Sequence, residues 1–307
     1  MASVTRRLFG PTAGLFLAVV AGWFIYRSLS RDWPRVTDAL TSANVFLIIL
    51  AGGVSAVGMI LLAVGWAWEL QRDAPGHSLL SVIDWFFAGE LVKYIPGGVW
   101  PVLGRGELAR RAGVAPSVAF LTAATSLFYR YGAAVVGLAL LLPLLPETPL
   151  WAIAALIVGS LAVLTGCLPS VFVWGLDRLV KMTGRDLEVT APGFTNALMH
   201  VASYLPAWLA IGTSSWVVSE ALGFSGSFPR LVLATVAGWL AGFVAIPAPS
   251  GAGVREAVFV FLAGIPRAEA AAVAVVARGL FLVVDVAGFA LATSRMGRTA
   301  VQGSQAG

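Results

Sequence analysis

An arginine and a glutamate stand side by side at Arg255 and Glu256, directly after the stretch Pro247-Ala248-Pro249-Ser250-Gly251-Ala252-Gly253-Val254. A guanidinium is a planar fork of donors whose geometry matches a phosphate. The neighbouring carboxylate balances its charge or carries a proton. A similar set occurs earlier, where Ile95-Pro96-Gly97-Gly98 is followed by Gly104-Arg105-Gly106-Glu107. Two further arginines, Arg130 and Arg278, lie well inside apolar runs, as do Glu90 and Asp285. Charged groups at such positions are expensive in a bilayer and should face protein or water. Arg105, Arg130, Arg255 and Arg278 are therefore candidate ligands for an anionic headgroup. Glu90, Glu107, Glu256 and Asp285 are the candidate charge-balancing or proton-coupling groups. The same residues would also serve as structural ion pairs that lock irregular backbone.

These charges sit in a chain with little polar surface. Of 307 residues, 59% are hydrophobic and 11% charged, and the mean hydropathy is +0.88. Apolar runs of roughly 20 residues, the length that crosses a bilayer, recur along it. The sequence is therefore read as a single polytopic membrane domain over 1–307. Its formal charge of +5 is spread through short connections, which suits contact with anionic headgroups and not nucleic acid. One cysteine, Cys167, excludes a disulfide framework, and His77 and His200 lack ligand-spaced partners. No metal, no cofactor and no catalytic residue is expected, and no Walker A sequence is present.

The elements that must position the charges follow from the apolar runs. Spans are expected at about 11–26, 45–66, 79–95, 117–142, 151–174, 197–218, 231–246 and 268–291. The N-terminal run is read as a retained helix, because no small-residue cleavage site follows it. Pro96, Gly97 and Gly98 break the third helix, and Pro247, Pro249, Gly251 and Gly253 break the seventh. Short charged half-helices follow each break. Arg110 and Arg111 suit interface anchoring, and residues 175–190 read as a polar loop. A disordered tail is expected over 293–307.

The two broken regions align at an offset of about 150 residues: Ile95-Pro96 with Ile246-Pro247, Arg105 with Arg255, and Arg130 near Arg278. Repeat units of about 44–142 and 197–292 result. Paired interrupted segments in two halves point to a transporter site. The expected fold is an all-α integral membrane protein of about eight transmembrane helices, with two re-entrant or broken segments and an internal repeat.

The pattern Pro-x-Pro-x-Gly-x-Gly-Val-Arg-Glu at Pro247–Glu256, with Ile-Pro-Gly-Gly and Gly-Arg-x-Glu at Ile95–Glu107, resembles the lysylphosphatidylglycerol synthase transmembrane family. The resemblance covers roughly 10–295. It implies a flippase-like domain of the cell membrane that moves an anionic lipid between leaflets. The lipid would be aminoacylated phosphatidylglycerol, another phospholipid or a polyprenyl-phosphate-linked sugar. No aminoacyl-transferase segment follows the last span, so neither lysyl-lipid synthesis nor transfer-RNA binding is expected. The resemblance also implies cytoplasmic termini, which would place several arginines outside, against the positive-inside trend. A second reading is a non-transporting subunit or anchor that partners a glycosyltransferase or a lipid synthase. An enzyme is not expected.

Overall fold

The computed structural model describes residue 37 and residues 41–94, 99–145, 149–183, 191–245 and 249–305. The first expected span, the breaks at Pro96-Gly97-Gly98 and Pro247, and most of the 175–190 loop's acidic end lie outside them. Among the described residues the fold is helical, without strands.

The first helix, α1 (Val45–Asp73), starts at Asn44, whose side chain accepts the Leu47 N–H at 3.3 Å. Ser78 caps α2 (Leu79–Glu90) in the same way, and a 3₁₀ turn at Leu91–Tyr94 continues it toward the break. Beyond the break lies α3 (Trp100–Arg111), then the long α4 (Pro116–Leu141). Next come α5 (Leu150–Gly166) and α6 (Pro169–Thr183), then α7 (Phe194–Ser203) and α8 (Leu205–Ala221). The second broken region comprises α9 (Phe228–Val244), a 3₁₀ turn at Pro249–Gly251 and α10 (Val254–Leu262), before the long α11 (Arg267–Gln305).

Both broken regions fold back as helical hairpins. Gly89 of α2 lies against Arg105 and Gly104 of α3. Gly238 and Gly242 of α9 lie against Arg255 and Gly251. Only a missing side chain allows these approaches. A Cβ on Gly89 would come within 2.8 Å of the Arg105 backbone nitrogen, and one on Gly238 within 2.9 Å of the Arg255 carbonyl. Ser250, Gly251 and Gly253 all have positive φ, at 52°, 68° and 83°.

The helices that precede the hairpins fix their relation. Ser55 bonds Ser214 at 2.6 Å, Gly58 packs on Ile211, and Gly65 packs on the Tyr204 ring. As numbers rise along α1 they fall along α8, so the two helices are antiparallel. Each is joined by a short connection to its hairpin. The hairpins therefore start at opposite ends of the bundle, and their 3₁₀ tips touch in its middle. Packing across the middle is reciprocal: α2 lies on α11, and α9 lies on α4. Two units of helix, hairpin and long helix, inverted with respect to each other, account for these contacts.

Among the described residues, four helices are long and apolar enough to cross a membrane: Val45–Asp73, Pro116–Leu144, Phe194–Ala221 and Arg267–Arg298. Leu150–Gly166 with Pro169–Arg178 makes a fifth if that pair, bent by 77°, is one span. The expected count of eight is not reproduced. With 12 residues, α2 is only about 18 Å long, short of the roughly 30 Å hydrocarbon core. The 17 residues of α9 reach about 26 Å. Each is one arm of a re-entrant hairpin. The expected tail at 293–307 is corrected as well. Helix α11 continues to Gln305, held by Arg295 against Asp84 at 3.3 Å and by Met296 on the core.

Candidate functional site: the meeting point of the hairpin tips

The polar interior is concentrated where the tips meet. From the first tip come Glu90, Lys93 and Tyr94, and from the second Ser250, Arg255 and Glu256. The long helices add Arg130 (α4), and Arg278 and Asp285 (α11). Lys93 Nζ lies 2.7 Å from Asp285 and 3.6 Å from Glu90. Tyr94 donates its hydroxyl to Asp285 at 2.8 Å. Arg130 Nη1 is 3.6 Å from Glu90, and its carbonyl accepts the Trp208 indole N–H at 2.6 Å. Arg278 pairs with Glu256. Almost every charge in this cluster has an opposite charge beside it, as burial in low dielectric demands.

Arg255 is the exception. Its guanidinium lies flat on Trp239, 3.7 Å from the ring centroid. Among the described residues its Nε has no hydrogen-bond partner and it makes no ion pair. Gly242 makes room for it, since a Cβ there would sit 3.2 Å from Nε. A cation on an indole face is stabilised by about 0.5–2 kcal/mol, without using the Nε donor.

Two cavities flank this arginine. One, of about 50 Å³, has Arg255, Arg278, Lys93, Glu256 and Asp285 as its charged lining. The other, of about 60 Å³, has Arg255, Arg130, Lys93 and Glu90. Lys93, Trp239, Ser250 and Arg255 belong to both. Together the walls carry four basic side chains and three carboxylates, an excess of one positive charge. Apolar walls from Trp239, Phe259 and Phe281 on one side, and Tyr131 and Phe243 on the other, exclude bulk water and strengthen the field of that charge.

The structure thus brings together Arg130, Arg255, Arg278, Glu90, Glu256 and Asp285 of the expected residues. It does not bring Arg105 or Glu107 there. Arg105 is 1% exposed, lies against Trp66 and Phe86 at 5.3 and 5.1 Å, and donates to the Pro101 carbonyl at 3.1 Å. Neither cavity includes it. Glu107 holds Arg110 and Arg111, each at 2.8 Å, because all three lie on one face of a short helix whose other face is buried. Pairing with these two guanidinium groups keeps the Glu107 carboxyl low, at about 2.

The second half-helix also differs from expectation in detail. The N–H of Gly253, the residue just before the helix, is taken by the Glu256 carboxylate at 2.6 Å. Of the break residues, Gly251 and Gly253 supply the left-handed backbone, and Pro249 opens the 3₁₀ turn. Lys93, Tyr94 and Trp239 are site residues that sequence reasoning did not assign. The Glu90–Lys93 spacing signalled the lysine, whereas nothing marked Trp239 among the aromatics of an apolar run.

No curated protein matches this chain. The family described as lysylphosphatidylglycerol synthase TM region matches residues 12–288. That match takes in both hairpins and every group of the central cluster, and the protein belongs to this membrane-domain family.

Proposed function

We propose that the protein moves an anionic lipid between the leaflets of the cell membrane, holding the headgroup phosphate at Arg255. The observation that carries this reading is Arg255, which has no ion pair and an unpartnered Nε among the described residues and lines two cavities where two inverted hairpins meet. A phosphate there would find the free donors of Arg255, with Arg278 within reach on one side and Arg130 on the other. A single negative charge would neutralise the excess of the cluster. The two cavities would present that phosphate to opposite sides in turn, as rocking of inverted units does in transporters. The acyl or prenyl chains would remain in the bilayer. The candidate lipids are aminoacylated phosphatidylglycerol, other phospholipids and polyprenyl-phosphate-linked sugars.

Reconstitution in vesicles with a fluorescent phosphatidylglycerol tests this. The native chain should speed transbilayer movement, and Arg255→Ala should remove the effect while the protein stays folded. Unchanged movement in Arg255→Ala would sink the assignment of the site.

A further inference from the structure

Helix α6 (Pro169–Thr183) stands apart from the central site. It leaves α5 at an angle of 77°, and none of its described side chains is buried. Its residues are sorted by face. At about 100° per residue, Val171, Phe172, Leu176 and Val180 share one side, and all four are half-buried. Asp177, Arg178 and Lys181 share the opposite side and are exposed. Trp174 lies among them, 62% exposed, with the Arg178 guanidinium 5.4 Å from its ring centroid. Among the described residues neither Arg178 nor Lys181 has an ion-pair partner.

The packing of α5 fixes the level at which α6 turns away. Gly159 lies on Val135, Val163 on Gly132, and Gly166 on the Phe128 ring. Helix α5 therefore runs antiparallel to α4 and ends beside Phe128. The Phe128 and Tyr129 rings meet at 5.5 Å, Tyr129 stacks on His200 at 5.4 Å, and His200 meets Trp68 at 4.6 Å. This row of rings marks one level of the bundle. The apolar stretch of α1 stops at the same level, where Trp68 is followed by Glu69, Gln71, Arg72 and Asp73. From Val45 to Trp68 that stretch is about 36 Å long, enough for the roughly 30 Å hydrocarbon core. The row is thus the edge of the hydrocarbon, where tryptophan is enriched, and α6 turns sideways there.

A helix with one apolar side and basic residues on the other, set across its own span at this level, has the form of an interfacial anchor. We propose that α6 lies flat in the headgroup layer, its apolar side toward the acyl chains, and holds the phosphates of anionic lipids with Arg178 and Lys181. Two basic side chains against the single carboxylate of Asp177 leave this face positive, which complements an anionic leaflet. Trp174 takes the boundary position, its ring shared between the lipid and the Arg178 guanidinium. None of these residues lines either central cavity. The surface is a second lipid contact, independent of any passage through the centre.

Two measurements on the full chain test this. Nitroxide labels are placed singly through Phe172→Cys and Lys181→Cys, with Cys167→Ala removing the native thiol, in equimolar phosphatidylcholine–phosphatidylglycerol vesicles. The label at position 172 should collide more with oxygen, which concentrates among acyl chains. The label at position 181 should collide more with a water-soluble nickel chelate. A water signal at both positions, or a hydrocarbon signal at both, would overturn the flat placement. Shielding of the label at 181 from both agents would mark a protein partner or a second copy there, and would overturn it as well. Headgroup preference is read by titrating phosphatidylglycerol, and separately phosphatidylcholine, onto the detergent-solubilised Arg255→Ala chain and following its melting temperature; this background removes the central ligand. Phosphatidylglycerol should bind more tightly, and Arg178→Ala and Lys181→Ala should each weaken it by about fivefold. Both positions are exposed, so these variants should fold as the parent does. Equal affinity for the two lipids, or an undiminished preference with both basic residues replaced, would sink the headgroup contact. Lipid movement in Arg255→Ala decides the central reading alone, so the two ideas fail separately.

Discussion

The two hairpins use the same joint for different ends. In each, a glycine of the first arm admits the backbone of an arginine on the second: Gly89 with Arg105, and Gly238 with Arg255. The next residue differs. Glu90 follows Gly89, whereas Trp239 follows Gly238. In the first hairpin the arginine is sealed between Trp66 and Phe86 and lines neither cavity. In the second, the arginine lies on Trp239 and opens to both cavities. One scaffold thus supplies a buried support and an available ligand, and single-residue changes beside the joint decide which.

Three changes press on this contrast. The largest effect is expected at Gly251, where φ is +68° and a Cβ would strike Gly242. Gly251→Ala should lower stability by about 3 kcal/mol or more. In the first hairpin a Cβ on Gly104 would lie 3.3 Å from Gly89, and Gly104→Ala should cost only about 1 kcal/mol. Thermal unfolding in detergent compares them, and equal losses would erase the distinction between the two hairpins.

Arg105→Ala comes next. It empties a fully buried volume, so a stability loss of about 2–4 kcal/mol is expected. Arg255→Ala should shift stability by about 1 kcal/mol yet abolish lipid movement. The same melting series, paired with the vesicle measurement, would show the roles reversed if the comparison is wrong.

The smallest effect concerns Glu107. Its carboxyl is held at about 2, below the ordinary 4.5, chiefly by Arg110 and then Arg111. A depressed carboxyl stabilises the fold above its unfolded value and loses that contribution as pH falls through the folded one. Stability should therefore decline slightly between about pH 4.5 and 2, and Glu107→Gln should flatten that segment of the curve.

The sequence made the breaks legible because proline and glycine act locally. Pro249, Gly251 and Gly253 interrupt a helix whatever surrounds them. Buried charge was legible for a similar reason: Arg130, Arg278 and Asp285 in apolar runs have few tolerable surroundings. The pairing was not legible, because it is set by helices far apart in the chain. Lys93 meets Asp285 across 192 positions, and only the antiparallel packing of α2 on α11 brings them together. The number of spans was not legible, because an apolar run does not reveal whether its helix crosses or turns back. The Arg105–Arg255 match held along the chain and for the backbone joint, but not for what each guanidinium touches.

The antiparallel course of α1 and α8 carries one more consequence. Seen from either leaflet, the framework offers the same view: a long helix, a hairpin dipping inward and a second long helix. Such a frame has no built-in arrow. Any preference for inward or outward passage must come from side chains that break the likeness, such as Glu90 opposite Trp239. Exchanging those two would reverse or cancel the bias without altering the frame.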